Sequence, residues 1–158
     1  MRLCLFDVDG TLLRAKGAGR RAIGRALLEV YGAHGPFESY DMRGKTDLEI
    51  VRDLMTGAGI PEQAIAEGLS RFFIRYVEAL RAEIEAGSRV ELLPGVHELL
   101  SCLSERRATL VGLLTGNIEA GARIKLDPTG LLPYFKLGAY GSDDADRTRL
   151  PGVAARRA

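Results

Sequence analysis

Leu3-Cys4-Leu5-Phe6-Asp7-Val8-Asp9-Gly10-Thr11-Leu12-Leu13 is the stretch on which the reading of the chain turns. Residues 3–6 are an uninterrupted apolar run closed by a turn signal, which predicts a strand buried on both faces, as inside a parallel sheet. Two carboxylates stand at its carboxyl end. Ligands of open α/β sheets bind at that end. Asp7 and Asp9, two apart on an extended chain, project toward one site while Val8 packs the other way. Gly10 permits a sharp exit, and Thr11 offers a hydroxyl and an N–H, so both are candidate substrate contacts.

Two acids this close repel, and a fold that keeps both ionised must supply a cation; their hard oxygens suit Mg²⁺. With that metal bound, Asp7 is placed to attack phosphorus and Asp9 to move a proton. The string Asp7-Val8-Asp9-Gly10-Thr11-Leu12-Leu13 resembles the first motif of the haloacid dehalogenase (HAD) superfamily. The resemblance implies a phosphatase that forms an aspartyl-phosphate on Asp7, uses Asp9 as acid and base, and holds Mg²⁺ at Asp7 and Asp9.

Outward from this motif, Arg14 to Gly19 is small, basic and flexible, and reads as a hinge. Apolar residues then recur at helical spacing from about Arg20 to Tyr31, with Gly32 placed to end the helix. Thr46-Asp47-Leu48-Glu49 matches a capping box that opens a second helix, ending near Gly57 and Gly59. Pro61 starts a third and longer helix, whose Ile65, Leu69, Phe72, Phe73, Tyr76, Leu80 and Ile84 share one side before Gly87. Three successive helices interrupt β-α alternation. The expected architecture is therefore α/β, a HAD-type Rossmann-like parallel sheet core over residues 1–16 and 90–158 with an inserted helical cap over residues 17–89.

Pro94-Gly95 marks the return to the core. A helical face follows, and then a second buried run, Ala108 to Leu114, which ends in Thr115-Gly116-Asn117. A hydroxyl and backbone N–H groups beside a helix start form a receptor for phosphate oxygens, although Asn117 is an equally good helix N-cap. At this position the triplet resembles the second HAD motif, with Thr115 gripping the phosphoryl group and Gly116 and Asn117 binding substrate. The next helix, from Ile118 to about Leu126, carries Arg123 and Lys125 on what reads as a solvated face. Leu137 to Tyr140 is a short strand candidate. The family's third motif is a Lys or Arg before a helix near a proline; Arg147 and Arg149 both qualify, and Arg147, directly after the acidic loop, is preferred.

Family members continue to a strand whose acidic residues complete the Mg²⁺ site. No such strand is read before Ala158, so the fourth motif is expected beyond it. The alternative assigns that role to Asp143, Asp144 or Asp146, with Lys136 then the third-motif base. In the predicted cap, the loop Asp41-Met42-Arg43-Gly44-Lys45-Thr46-Asp47 resembles the substrate loop of phosphoglycolate phosphatase and β-phosphoglucomutase relatives. Arg43 and Lys45 are the candidate contacts to a small phosphorylated metabolite.

Composition narrows the alternatives. In 158 residues, 22 Lys and Arg against 21 Asp and Glu leave a net charge of +1, which demands neither nucleic acid nor a membrane surface as partner. Cys4, in the first strand, and Cys102, on the apolar side of a helix, read as core thiols rather than a disulfide. His34 and His97 have no close-spaced cysteine and read as a loop and a helix-surface residue, which excludes a zinc site. Without a basic, cleavable leader or a spanning apolar run, the expected location is cytoplasmic. A phosphosugar mutase and a non-catalytic phosphate-binding protein stand as alternatives to the phosphatase, and a homodimer is left open.

Overall fold

The chain, described over residues 2–87 and 90–158 in a computed structural model, combines short strands with helices. In order these are β1 (Arg2–Phe6), β2 (Leu13–Arg14), α1 (Ala18–Tyr31), α2 (Asp47–Gly57), α3 (Glu62–Glu85), β3 (Glu91–Leu92), α4 (Val96–Ser104), β4 (Thr109–Thr115), α5 (Glu119–Leu126), β5 (Leu137–Tyr140) and α6 (Leu150–Arg157). β1, β4 and β5 form a parallel sheet in the order β1-β4-β5. Leu3 stands opposite Leu110 and Phe6 opposite Leu113, while Thr115 stands opposite Tyr140. The carboxyl ends of all three strands therefore meet at one edge of the sheet.

The two faces of the sheet are unequal. Val111 and Leu113 of β4 join the main apolar core together with Leu100 of α4 and Ala122 and Leu126 of α5. On the other face Ala139, Leu150 and Ala154 form a small separate cluster under α6, with Leu5, Leu114 and Leu137 against it. α6 rests on β4 and β5. β1 lies at the far side of the sheet from β5, and its Leu3 to Phe6 are half-buried. The expectation of a first strand buried on both faces is thus corrected: apolar composition marked a strand, but only a neighbouring layer can bury it. Cys4 is likewise half-buried, and Cys102 is exposed, so the thiols are free but the second is not a core residue.

α1, α2 and α3 lie between β2 and β3. The chain leaves and returns by the same route, because β2 and β3 pair antiparallel, Leu13 opposite Leu92 and Arg14 opposite Glu91. The sequence carries no signal for this two-stranded neck, because two-residue strands have no periodicity. The expected boundary between residues 89 and 90 falls at the edge of a pair, Ser88 and Arg89, outside the described residues. α3 packs along α1, burying Ile65, Phe72, Tyr76 and Leu80 against Ala18, Ala22, Ala26 and Leu27. Small residues four apart on α1 let the long helix approach closely, which is why the aromatic rings sit in the core rather than at the surface. Gly32 closes α1 in the left-handed conformation, φ 68°, and donates its N–H to the Leu28 carbonyl, as the terminating glycine leads one to expect.

Candidate active site

Asp7 and Asp9 reach the site through the turn that ends β1. The Val8 carbonyl accepts the N–H groups of Leu12 at 3.0 Å and Leu13 at 3.2 Å, and Gly10, at φ 78°, donates to the Leu13 carbonyl at 2.9 Å. Val8 is fully buried. Alternation along the extended chain then turns Asp7 and Asp9 toward the cavity, which both line. The Thr11 N–H approaches the Val8 carbonyl at 3.4 Å. Gly10 and Thr11 are therefore parts of the turn itself, and neither is among the residues lining the cavity.

The register of β1 with β4 sets Thr115 beside this turn. Asp7 accepts from its neighbour Val8 N–H at 2.8 Å through Oδ1 and from Arg147 Nη2 at 2.5 Å through Oδ2. Asp9 is held differently. Its Oδ2 accepts from Lys125 Nζ at 2.7 Å and from Asn117 Nδ2 at 2.8 Å. Asn117 also donates Nδ2 to Thr115 Oγ1 and accepts Lys125 Nζ at Oδ1, both at 2.7 Å. Thr115, Asn117, Lys125 and Asp9 thus form one connected network. Burial pushes the Asp9 carboxyl up, but the charge of Lys125 and the hydrogen bonds from Lys125 and Asn117 outweigh it and hold the group below its ordinary value.

The start of α2 bridges to the strand ends. Thr46 caps the helix by accepting the Glu49 N–H at 3.1 Å and donates its hydroxyl to the Ala145 carbonyl at 2.7 Å. The Asp47 N–H donates to the Gly116 carbonyl at 2.8 Å, and Asp47 Oδ2 accepts the Ile118 N–H at 2.8 Å. Ile118, the N-cap of α5, offers no side-chain cap of its own, and a carboxylate from α2 satisfies its N–H at the open helix start. Burial pushes the Asp47 carboxyl up to about 6, against the opposing pull of Lys125 and the Ile118 N–H and with the Asp9 charge adding to the rise. Gly116 makes the approach feasible: a Cβ there would lie 2.0 Å from the Lys45 carbonyl oxygen.

Between the strand ends and the helices lies a cavity of about 480 Å³, with Asp7, Asp9, Thr115 and Arg147 on one side and Ile23, Met42, Ile50 and Tyr76 on the other. Burial, with the charges of Asp47 and Asp9, pushes the Tyr76 phenol well up, so its hydroxyl stays neutral. Of the sequence-derived candidates, Asp7, Asp9, Thr115, Gly116, Asn117, Arg147, Arg43 and Lys45 all line this cavity. The charges of the last two are already engaged. Arg43 forks onto Asp41 at 2.7–3.1 Å, and Lys45 binds Glu49 at 2.9 Å and Asp53 at 2.7 Å.

Arg147 and Arg149 are now distinguished by position: Arg147 reaches Asp7, while Arg149 is 71% exposed and stands 3.6–3.7 Å from Asp144 and Asp146. Lys136 donates to the Pro133 carbonyl at 3.0 Å, away from the cavity. Asp143 is clamped by Arg157 at 2.7–2.8 Å, Asp144 accepts the Asp146 N–H, and Asp146 caps the turn at Thr148. None of these three acids lines the cavity. The structure therefore does not bring the alternative metal ligands into the cavity that Asp7 and Asp9 line.

Two site residues escaped the sequence reading. Lys125, expected on a solvated face, is 4% exposed; Gly121 and Ala122, four and three residues before it on α5, are buried on the same side. Asp47 enters the sequence pattern as part of a capping box and as the last residue of the candidate substrate loop, yet it shares a face with Ile50, Val51 and Leu54, its neighbours at three, four and seven residues.

The sequence profile described as a haloacid dehalogenase-like hydrolase matches residues 1–153. The chain belongs to that family. Solved structures share the fold: a predicted phosphatase from Clostridium acetobutylicum is 15% identical with a TM-score of 0.66, covering 99% of this chain and 69% of that one. CbbY from Rhodobacter sphaeroides, solved in complex with phosphate, is 19% identical with a TM-score of 0.63, covering 99% and 72%. A haloacid dehalogenase-like family hydrolase from Streptococcus pneumoniae is 16% identical with a TM-score of 0.59, covering 99% and 70%. No protein of curated function matches the sequence. No helix among the described residues is long and apolar enough to cross a membrane.

Proposed function

We propose that this hydrolase-family chain is a Mg²⁺-dependent phosphatase that acts on a small phosphorylated metabolite through a phosphoryl group carried by Asp7. The convergence of Asp7, Asp9, Thr115 and Arg147 on one cavity at the strand ends carries the reading. A carboxylate oxygen of Asp7 attacks phosphorus, the bond from phosphorus to the leaving oxygen breaks, and Asp9 gives that oxygen a proton. Water then attacks the phosphorylated Asp7, its proton passes to Asp9, the bond from phosphorus to Asp7 breaks and inorganic phosphate departs. Arg147 opposes the negative charge gathering at the phosphoryl group, and the Thr115-Gly116 corner offers it polar contacts.

The donor set suits the metal. Mg²⁺ is commonly held by one or two carboxylates, with water and substrate phosphate completing its shell. Asp7 and Asp9 supply such oxygens, and among the described residues no group of three or more His, Cys, Asp or Glu gathers that would favour a softer or larger ion. The Asp7 carboxylate and the Asp9 main-chain carbonyl would hold it. Bound Mg²⁺ would neutralise phosphoryl oxygens and help to orient them.

In this reading residues 17–89 act as a cap, and Ile23, Met42, Ile50 and Tyr76 meet the organic part of the substrate. The test is hydrolysis of p-nitrophenyl phosphate with Mg²⁺ and with EDTA. The expected result is Mg²⁺-dependent release of free phosphate, which also separates a phosphatase from a mutase that retains its phosphoryl group. Asp7→Asn is expected to lower turnover at least about 1,000-fold without unfolding the chain; near-normal activity in that variant would end the nucleophile assignment.

A further inference from the structure

Lys125 is the most deeply buried cation of the site, and its placement is unusual for a lysine. It projects from α5 with 4% of its surface exposed. The ammonium is wedged between helices: a Cβ at Gly19, in the first turn of α1, would lie 3.2 Å from Nζ. A lysine kept there for packing alone would be a poor choice, since removing an ammonium from water is costly and an apolar side chain of similar length would fill the space as well. What the ammonium does is hold Asp9. Both donors that reach Asp9, Lys125 Nζ and Asn117 Nδ2, bind the same oxygen, Oδ2. Oδ1 takes no hydrogen bond among the described residues, on a side chain that remains 46% exposed where it lines the cavity.

We propose that Lys125 is a positioning residue that, with Asn117, fixes Asp9 by Oδ2 and so presents Oδ1 to the water that hydrolyses the phosphorylated Asp7. The inference rests on the phosphatase reading. In that step the water oxygen forms its bond to phosphorus, the proton goes to Asp9 Oδ1, and the bond from phosphorus to Asp7 breaks to leave the carboxylate. Without Lys125, Asp9 keeps its acid/base group but loses half of its support, and the step that needs an oriented base suffers more than the step that forms the phosphoryl-enzyme.

p-Nitrophenyl phosphate separates the two steps, because p-nitrophenolate leaves without help from an acid. The experiment follows p-nitrophenolate by stopped flow and the phosphorylated protein by rapid quench for the unmodified chain, Lys125→Met and Lys125→Gln, with thermal melting of each. Expected for both variants is a burst of p-nitrophenolate of about one equivalent per chain. Steady turnover then slows about 100-fold, phosphoryl-enzyme accumulates and the melting temperature is not lowered. Unchanged turnover with no burst would overturn the proposal. Equal slowing of burst and steady state, or failure of both variants to fold, would also overturn it by making Lys125 a structural requirement. If the unmodified chain releases no p-nitrophenolate, the phosphatase reading fails first, which is a different outcome from a turning-over chain indifferent to Lys125.

Discussion

The charges on the two sides of the cavity are wired in opposite ways. On the sheet side the partners that hold the two carboxylates lie far away in sequence: Asp9 meets Asn117 and Lys125 across 108 and 116 residues, and Asp7 meets Arg147 across 140. On the helix side, Arg43 pairs with Asp41 two residues away and Lys45 with Glu49 four residues away. Arg43 is 91% exposed and Lys125 is 5% exposed at the side chain. Long-range pairs form only when the fold is complete, and the cation of each is partly or wholly withdrawn from water, Arg147 25% and Lys125 5% exposed at the side chain, so each charge there has a larger effect on its partner. Local exposed pairs exist in the helix and loop alone, are screened, and are worth little. Chemistry is expected to depend on the first kind and to tolerate loss of the second.

Replacements on the two sides test that contrast. Arg147→Met removes the counter-charge at Asp7, and kcat for p-nitrophenyl phosphate is expected to fall about 100- to 1,000-fold in steady-state assays. A drop of less than about 5-fold would detach Arg147 from the phosphoryl group. Asp47 is the intermediate case, a carboxylate from the helical side that reaches across to Ile118. Its folded-state value of about 6 lies above the ordinary 3.8, so between roughly pH 4 and pH 6 the folded chain keeps a proton that the unfolded chain loses. Stability therefore falls as pH rises through that window and then levels off, by about 3 kcal/mol for this group. Asp47→Asn is expected to flatten that fall, raising stability above pH 6 and adding little near pH 4, as urea denaturation at a series of pH values would report. A pH dependence unchanged by the substitution would refute the assignment. Smallest of all, Arg43→Ala is expected to change kcat/KM less than about 3-fold, because Asp41 already neutralises that guanidinium. A much larger loss would mean that substrate competes for Arg43 and that the two sides are less distinct than their wiring suggests.

Much of this site could be read in the chain before folding. An apolar run ending in Asp7-Val8-Asp9-Gly10 announces a strand and its ligand-bearing end, and a second such run ending in Thr115-Gly116-Asn117 announces its partner. Both are local patterns. The helices of residues 18–85 were legible for the same reason, since Ile65, Phe72, Tyr76 and Leu80 repeat at helical spacing whatever surrounds them. The choice of Arg147 over Arg149 was closer, because two residues in one short segment differ only in which of them the turn at Asp146 aims at Asp7.

Other features needed the third dimension. That β1 stays half-buried follows from α6 resting over β4 and β5 instead, and the neck of β2 and β3 is two pairs of residues, too short to have a period. Asn117 looked like a phosphate ligand or a helix cap, and its amide in fact ties Asp9 to Thr115 and Lys125. The residues and their order determined the strands, the helices and the carboxylates at a strand end, because backbone periodicity and turn chemistry act over a few neighbours. Only the tertiary structure decided that Lys125 would be buried against Asp9 and Asp47 would close onto α5. The energy of a buried charge is set by the partners the fold brings to it, and those partners lie far away along the chain.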